Sequence, residues 1–465
     1  MKKQRLLLLL GGWVLVSGCA TVTVDEEFSQ VSQEALSRTG ETVAWEQTPE
    51  DVAWTQETVQ QLLQDGLTRE EAVRLALINN RQLQVQFEML GMAKADLIQA
   101  GLYTNPRLGS LIRFPGGMPG AVINTESDVL FLVSDLWNVP LRRNLATVEV
   151  LRTTNLIVQE ILEAAANARN AFDEVLLQQA LYAFVMENVS LFEATLEQVQ
   201  IRFESGLVNQ LDIFLAQNVL YESQLELASV KAQLKRARAQ LLGTLGLDPL
   251  LSEDVPIQGN LEDIPHRDIS LDQAWTFAQD QRVDLALTRL QITQSQRLLS
   301  LQKAKIFGDV GLGGNYTRSL GKVDNPGLVI ALEIPVLNQN QGGIARAEFQ
   351  VRQAEKRMVA TEFAAKLELK RLLAELNYHD THVELFRKNM LVVQEQAENY
   401  VKQFYASMQF NSIYLIQARQ RNLNARRGYL HALRQYRLTE SALQVALGGE
   451  AEKKMANGSA FLIHH

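Results

Sequence analysis

Cysteine is nearly absent from this chain of 465 residues, because Cys19 is the only one. An internal disulfide is therefore excluded, and so is a metal site built from several thiolates. Proline is scarce as well, with 10 residues, and glycine contributes 27. Ala, Leu, Gln, Glu and Arg are abundant instead, so the composition favours long helices.

A large excess of one charge is also missing. The chain has 45 basic and 53 acidic residues, which gives a formal net charge of -8, so no nucleic-acid partner is predicted. Beyond residue 19 we find no uninterrupted apolar run of about 18 residues. We therefore predict that no transmembrane helix is present and that any membrane-spanning element is a β-barrel.

The N-terminus has the layout of a secretory signal peptide. Three basic residues within the first five precede a short apolar run, 6–16, which is too short to span a bilayer. The small residues before Cys19 resemble a bacterial lipobox, the signal for diacylglycerol attachment to that cysteine. We predict cleavage after residues 1–18 and a lipid on Cys19. Ala20 next to it resembles the class of lipoproteins sorted to the outer membrane.

The chain is predicted to be an internal duplication. The segment TREEAVRLAL, which begins at Thr68, pairs with SLDQAWTFAQ, which begins at Ser270, at an offset of 202 residues. Both segments start with a capping box, Thr68 with Glu71 and Ser270 with Gln273. The same offset pairs Ser205, Asn209 and Ala216 with Ser407, Asn411 and Ala418. Two such matches, separated by a long helical stretch, indicate two copies of one unit.

Each unit is predicted to contain a helix, a β-hairpin, a long helix and a further helix. The predicted elements are 68–101, 107–134, 140–203 and 210–245 in the first unit, and 270–305, 309–334, 341–404 and 412–447 in the second. The predicted segments are a signal peptide 1–18, a lipidated N-terminal extension 19–66, repeats 67–247 and 269–449, a linker 248–268 and a C-terminal tail 450–465.

The long helices and the strands predict an assembly of several chains. Apolar residues recur at steps of three and four in the long helices, as in coiled coils, and about 63 residues give a helix of roughly 95 Å. The strands alternate with period two, and each is about long enough to cross a membrane. Four strands cannot close a barrel. A trimer would supply twelve strands, whereas a dimer would supply eight and little lumen.

Two short segments and the order of the elements resemble the TolC-like outer-membrane efflux family, over residues 65 to 450. AGLYTNP, at 100–106, is similar to the family's entry into the first strand, and LEIPVLN, at 332–338, is similar to its exit from the last strand. The combination also resembles the heavy-metal, CzcC-like branch. The resemblance implies a mainly α fold with membrane β-strands, in which a trimer forms an α-barrel joined to a 12-strand β-barrel.

The resemblance also implies partners. A periplasmic adaptor would dock at the turns that end the long helices and would couple the channel to an inner-membrane pump, of the RND type. The docking residues that we predict in these turns are Gly206, Leu207, Val208, Asp212, Met408 and Phe410. Because Gly206 is replaced by Met408 in the second turn, we expect that turn to be less tightly wound. Asp212 is replaced by Tyr414, which argues against an acidic gate.

If the strands span the membrane, the segments that join paired strands face outward, and Gly117 and Asp324 lie in these extracellular loops. His379 and His382 have the i, i+3 spacing of a metal pair, but His379 falls on the apolar stripe of its helix, so we predict a packed histidine and no metal site. No catalytic triad and no phosphate-binding loop are recognisable.

The sequence therefore predicts a lipid-anchored outer-membrane channel that conducts passively, is not an enzyme and needs no cofactor beyond the lipid on Cys19. Two alternatives stay open. One is a coiled-coil lipoprotein tether without a pore, which would not need two period-two hairpins. The other is a periplasmic metal-dependent enzyme, which only His379 and His382 support.

Overall fold

A computed structural model describes residues 22–114, 123–248, 255–262, 264, 269–319 and 324–449. These residues form two compact units. Unit 1 contains Gln86–Leu156 and Leu287–Val359 together with the described residues up to Gln30. Unit 2 contains Val31–Val85, Ile157–Ala286 and the described chain from Ala360 onward. Both units contain residues from both halves of the sequence.

The described chain is mainly helical with a single small sheet. The helices are α1 (Asp25–Thr39), α2 (Pro49–Gln64), α3 (Arg69–Asn79), α4 (Arg81–Ala100), α5 (Asp135–Glu204), α6 (Gln210–Thr244), α7 (Leu271–Gln281), α8 (Val283–Ala304), α9 (Gln341–Leu385), α10 (Leu391–Ala406) and α11 (Ser412–Leu447). The strands are β1 (Arg107–Arg113), β2 (Asn124–Leu132), β3 (Val310–Ser319) and β4 (Asp324–Leu332). This order confirms the duplicated helix–hairpin–long helix–helix unit.

The predicted capping boxes form at the starts of α3 and α7. Thr68 Oγ1 accepts a hydrogen bond from the Glu71 amide at 3.3 Å, and the Thr68 amide donates to Glu71 Oε2 at 2.9 Å. Ser270 and Gln273 make the same two bonds at 3.3 and 3.1 Å. Each box satisfies amides that a helix start leaves unpaired.

The first helix of each repeat was predicted to be continuous, over 68–101 and 270–305, and this prediction was wrong. Each is divided into two helices by one residue with an extended backbone, Asn80 in the first repeat and Arg282 in the second. Asn80 Oδ1 then accepts from the next two free amides and starts α4. Neither break has a glycine or proline, so its cause lies in tertiary contacts.

A left-handed glycine packs against each break. Gly246 (φ 69°) and Gly448 (φ 90°) stand 202 residues apart, as the repeats require. A Cβ on Gly246 would lie 2.1 Å from the Asn79 carbonyl oxygen, and one on Gly448 would lie 2.4 Å from that of Gln281. Only glycine allows this close approach, because both the backbone angle and the space exclude a side chain.

Both hairpins join in one antiparallel sheet, in unit 1, with the order β1-β2-β3-β4. β1 pairs with β2 from Arg107↔Leu130 to Arg113↔Asn124, and β3 pairs with β4. The central pairing, from Asn124↔Ser319 to Leu132↔Gly311, connects the two repeats. The predicted hairpins are confirmed, and the sheet is continuous across the duplication.

The two long helices differ although they arise from matching segments. α5 has 70 residues and begins at Asp135, before Pro140, which we had predicted to be near its start. The second long helix, predicted as 341–404, is interrupted by a π-helical turn at Phe386–Met390. A π turn inserts one extra residue into an α-helix and commonly marks a local packing constraint.

One described helix, α5, is long and apolar enough to cross a membrane by length and composition alone. This match does not overturn the prediction that no transmembrane helix is present, because it rests on length and composition alone. Half of the apolar window in α5 is buried within the chain. Apolar clusters, such as Val189 and Phe192 with Leu220 of α6, account for part of this burial, as in a helix that forms a protein core.

The described part of the N-terminal extension, whose secondary structure was not predicted, contains α1 and α2. α2 starts with a capping box between Thr48 and Asp51 and has Pro49 in its first turn. In unit 2, the Arg38 guanidinium at the end of α1 donates to the carbonyl oxygens of Gln281 and Gly448, at 2.6 and 2.7 Å. The extension is therefore a folded part of the chain.

Candidate functional site

The sheet of unit 1 has two chemically different faces. Cross-strand partners in an antiparallel sheet share a face, and neighbouring residues in one strand alternate between faces. One face is therefore mainly apolar, with Ser110, Thr125, Ser127 and Arg318 among its polar members, and its large apolar side chains are Leu108, Ile112, Val129, Phe131, Leu312, Tyr316, Leu328, Ile330 and Leu332. Most of these are exposed, and Leu108 reaches 77%. Exposed apolar area of this extent indicates contact with a nonaqueous environment.

The opposite face is more polar and carries small residues, although Leu111, Leu130, Leu132 and Val329 also stand on it. Arg113 forms an ion pair with Glu126 at 3.2 Å, and Asn315 Nδ2 donates to the same carboxylate at 3.0 Å. Asp128 lies so close to Gly109 that a Cβ there would be 2.5 Å from its Oδ1. This face therefore presents charged and amide groups that can bind water. The apolar side chains of the other face cannot do so.

The sheet is open within the described chain. β1 and β4 are its two outer strands, and each uses only one edge for pairing. An open edge exposes unpaired amides and carbonyls, which in a nonpolar environment must find partner strands. A second chain can supply such strands.

In unit 2 the turns that follow α5 and α10 have the same backbone. Gly206 has φ 73° and Met408, at the matching position, has φ 62°. The hydrogen bonds also match, since Leu207 N donates to Arg202 O and Gln409 N donates to Phe404 O, both at 2.9 Å. The expectation that the second turn is less tightly wound was wrong. Met408 adopts the left-handed conformation despite its side chain, at a cost of about 1–2 kcal/mol.

The residues predicted for docking are not equally accessible. Leu207 and Met408 are exposed, at 56% and 66%. Val208 is half-buried and packs against a cluster that includes Val199 and Ile213. Phe410, also half-buried, lies in a row of rings, with its centroid 5.1 Å from that of Phe404 and 5.3 Å from that of Tyr414.

Asp212 was predicted to be part of the docking surface, but the structure places it inside unit 2, where it is 6% exposed. Its Oδ2 accepts from the Asn209 amide at 3.1 Å, which completes the capping box of α6. Its Oδ1 accepts from the Ser412 hydroxyl at 3.1 Å. Asp212 therefore connects the starts of α6 and α11 and is not offered to a partner.

The sequence did not predict the contacts of two arginines behind these turns. The Arg202 guanidinium lies 3.7 Å from the Tyr405 ring centroid and donates to the Tyr405 carbonyl at 2.7 Å. Arg419, which is buried, donates to the Leu191 carbonyl at 2.7 Å and to Thr195. The spacing of charged residues along the sequence cannot reveal such hydrogen bonds, because their acceptors are mostly backbone carbonyls.

Glu398 lies close to Arg419, at 3.8 Å, and is itself mostly buried. Burial raises the pKa of its carboxyl, but hydrogen bonds from Asn422 and Lys402 outweigh burial and hold the pKa below its usual range. The Asn422 bond measures 2.6 Å. The carboxylate is thus held ionised inside the helical packing.

The histidine pair on α9 is half-buried, as predicted for His379. Burial and the neighbouring His382 lower the pKa of His379. The Tyr378 ring lies 4.2 Å from that of His382. Within the described ranges there is no group of three or more histidine, cysteine or acidic side chains that could hold a metal ion.

Two predicted residues, Cys19 and Gly117, lie outside the described residues. Asp324 was predicted to lie in a loop, and this was wrong, because it is the first residue of β4 and its backbone pairs with Arg318 across the hairpin.

Comparison with solved structures defines the class of protein. CusC, studied for transmembrane channel formation, superposes with a TM-score of 0.71 at 16% identity, over 82% of this chain and 92% of CusC. The CmeC outer-membrane channel of Campylobacter jejuni gives a TM-score of 0.70 at 15% identity, over 84% of this chain and 88% of CmeC. The chain therefore has the TolC-like outer-membrane channel fold, which confirms the predicted resemblance.

Comparison by sequence points to a particular relative. The chain is 22% identical to the cobalt-zinc-cadmium resistance protein CzcC of Cupriavidus metallidurans, over 395 residues that cover 82% of this chain and 90% of CzcC. No family model matches the chain.

Proposed function

We propose that this chain is the outer-membrane channel of a tripartite efflux system, and that it passively exports substrates delivered by an inner-membrane pump through a periplasmic adaptor. The observation that carries the proposal is the four-stranded open sheet with one mainly apolar, exposed face and one more polar face. Such a sheet matches a segment of a membrane barrel, with lipid outside and water inside. The channel would catalyse no reaction.

Closure of the sheet calls for three copies. Four strands per chain give twelve in a trimer, within the range in which membrane barrels close around a lumen. In that arrangement β1 of one copy would pair with β4 of the next, so that no edge stays open. Glu126, Asp128 and Asn315 would then face the water-filled interior, and Leu108 and Leu328 the lipid.

Unit 2 offers complementary surfaces for the same trimer. α6 carries an exposed apolar stripe at steps of three, seven and four, namely Leu211, Phe214, Tyr221 and Leu225. The second long helix carries another, namely Phe363, Leu367, Tyr378, Leu385 and Val392. Such spacing belongs to coiled-coil seams, which need a facing helix. If the stripe on α6 of one copy packs against the stripe on the second long helix of the next copy, the contact is head-to-tail. Repetition of such a contact closes a ring of copies.

The adaptor would dock at the two turns, through Gly206, Leu207, Met408 and, at their margin, Val208 and Phe410. Two exposed apolar side chains on a rigid scaffold suit recognition by a helical hairpin. The pump would be of the RND type. CzcC is a cobalt-zinc-cadmium resistance protein, so we propose divalent heavy-metal cations as the first cargo to test.

Anchoring would combine the sheet with a lipid on Cys19. The sheet argues against a pore-free tether, because a tether has no use for a strand set with opposite apolar and polar faces. A metal-dependent enzyme is supported only by His379 and His382, and the described residues give them no third ligand.

Purification and bilayer recording test the proposal. The protein should require detergent, have the mass of three chains by light scattering, and conduct ions stepwise in planar bilayers. The double variant Leu211→Glu with Leu225→Glu should reduce the trimer fraction, because it places charges in a seam. A matched control is Leu136→Glu, an exposed leucine on α5 outside either stripe. A soluble, monomeric and nonconducting wild-type protein would refute the channel.

A further inference from the structure

A cavity of about 610 Å³ lies in unit 1 where β3 begins and β4 ends. Apart from Glu333 its lining is apolar, and the lining residues that matter here are Trp137, Ala304, Phe307, Val310, Leu332 and Ile334. Its volume is within the roughly 300–1,000 Å³ of ordinary ligand sites. The cavity is therefore large enough for a flexible hydrocarbon chain.

The cavity continues the apolar face of the sheet. Val310 and Leu332 are cross-strand partners, and both stand on the same face as Leu312 and Ile330. Phe307 is 66% exposed and Ile334 79% exposed, so the cavity opens to the outside of the chain. A molecule that covers the sheet face can extend into the cavity without crossing a polar barrier.

A second cavity, of about 620 Å³, shares Glu333, Ile334 and Pro335 with the first. It also contains Lys305, Asn338 and Asn340, so it holds one cation and one anion. In the described part of the chain, Lys305 and Glu333 form no ion pair with each other. The two charges are thus free to meet opposite charges on a ligand.

The position of Glu333 depends on a glycine. Gly308, with φ 58°, lies so close that a Cβ would be 2.7 Å from Glu333 Cβ and 2.8 Å from its Oε2. Any other residue at 308 would push the carboxylate away. The glycine therefore leaves room for the carboxylate at the boundary between the apolar and the polar cavity.

We propose that the two cavities together bind one phospholipid with a zwitterionic head group. An acyl chain fills the apolar cavity, the phosphate pairs with Lys305, and the ammonium group pairs with Glu333. The inference rests on the proposed membrane function, because it takes the lipid from the bilayer that covers the sheet face. A head group that lacks an ammonium satisfies Lys305 and leaves Glu333 facing a phosphate, so phosphatidylethanolamine binds better than phosphatidylglycerol.

The test reconstitutes the full-length protein in liposomes with a photoactivatable acyl chain on phosphatidylethanolamine or on phosphatidylglycerol, and locates the cross-links by peptide mass spectrometry. We expect cross-links within 304–310 and 331–337, with about tenfold more from phosphatidylethanolamine, as a charge-assisted contact predicts. Glu333→Gln should abolish this preference. Ala304→Trp should fill the apolar cavity and remove the cross-links from both lipids.

Matched variants separate a site from general surface charge. Lys305→Glu should lower the cross-linking of both lipids, whereas Lys303→Glu, two residues away and outside both cavities, should leave it unchanged. Equal losses in both variants would overturn the proposal. Cross-links spread evenly along the sheet face would also overturn it, since they indicate boundary lipid only. Detection of the lipid on Cys19 inside the cavity would likewise overturn the proposal.

Conductance in planar bilayers is measured on the same preparations. A protein that inserts and conducts but shows no lipid preference refutes only the lipid site. A protein that fails to insert or conduct refutes the channel proposal itself.

Discussion

The Phe386 ring lies directly against the Cα of Gly428, where a Cβ would come within 2.7 Å of the ring atom Cζ and 2.9 Å of Cε1. Phe386 opens the π-helical turn of the second long helix, and Gly428 is in the middle of α11. The extra residue of the π turn and the missing side chain of the glycine thus occur at one contact.

We expect Gly428→Ala to destabilise the protein by about 1–3 kcal/mol, because the added methyl group overpacks this contact. The thermal unfolding midpoint of the purified protein measures the effect. The control is Gly91→Ala in α4, where nothing lies within 4 Å of the new methyl group. That change should stabilise by about 0.5–1 kcal/mol. The double variant Gly428→Ala with Phe386→Leu should recover much of the loss, and no recovery would refute the explanation.

A second prediction concerns the two left-handed turns. Met408→Gly should stabilise the second turn by up to about 1 kcal/mol, because glycine adopts φ 62° without steric cost. Gly206→Ala should destabilise the first turn by a similar amount. Hydrogen exchange of the amides in 403–412 and 201–210 reports each turn separately. Slower exchange in Gly206→Ala than in the wild type would contradict the steric argument.

A third prediction addresses adaptor docking at these turns. The double variant Leu207→Ser with Met408→Ser should remove most adaptor cross-links and reduce efflux in cells, because both exposed apolar contacts are lost. The trimer should persist in detergent. Met186→Ser changes an equally apolar residue, 49% exposed, elsewhere on α5 and should have no effect. Wild-type efflux in the double variant would place docking elsewhere.

A fourth prediction concerns pH. Burial lowers the pKa of His431 below its ordinary value of 6.5, and the neighbouring Arg434 and Arg427 lower it further, while Glu174 opposes them. The folded protein therefore binds fewer protons than the unfolded chain. The contribution of His431 to the free energy of unfolding is fully present above pH 6.5 and is lost as the pH falls through the lowered pKa. His431→Gln should flatten the fall of the melting temperature between about pH 7 and pH 5. An unchanged slope would exclude His431 as the source.

A fifth prediction separates the two modes of membrane attachment. Cys19→Ser should abolish metabolic labelling with palmitate, yet much of the protein should stay in the membrane fraction, because one lipid anchor holds less strongly than an inserted barrel. Carbonate extraction compares the two forms. Complete release of the variant would favour the tether.

The sequence predicted the repeat, the strands and the ends of most helices, because these depend on local periodicity and capping. It missed the breaks at Asn80 and Arg282, since neither segment contains a glycine or proline at the break, and the capping asparagine at 80 has no counterpart at 282. The breaks require Gly246 and Gly448, which stand 166 residues further along in each repeat and approach a carbonyl of α3 or α7.

The exposure of the turn residues was predicted in part. Leu207 and Met408 are exposed as expected, because short turns project their side chains. Asp212 was misjudged, since its role as a cap and its bond to Ser412 depend on the position of α11. Arg202 and Arg419 were missed because their partners, a ring face and backbone carbonyls, carry no sequence signal.

The pairing of β2 with β3 imposes an order on biosynthesis. Leu132 pairs with Gly311, so about 180 residues must be made between them, which takes roughly ten to thirty seconds at ordinary elongation rates. Until β3 emerges, the first hairpin has an apolar face and an unsatisfied central edge. Such a strand is prone to aggregate. The nascent chain therefore needs either a holding chaperone or delayed folding of the first repeat until the second has been exported.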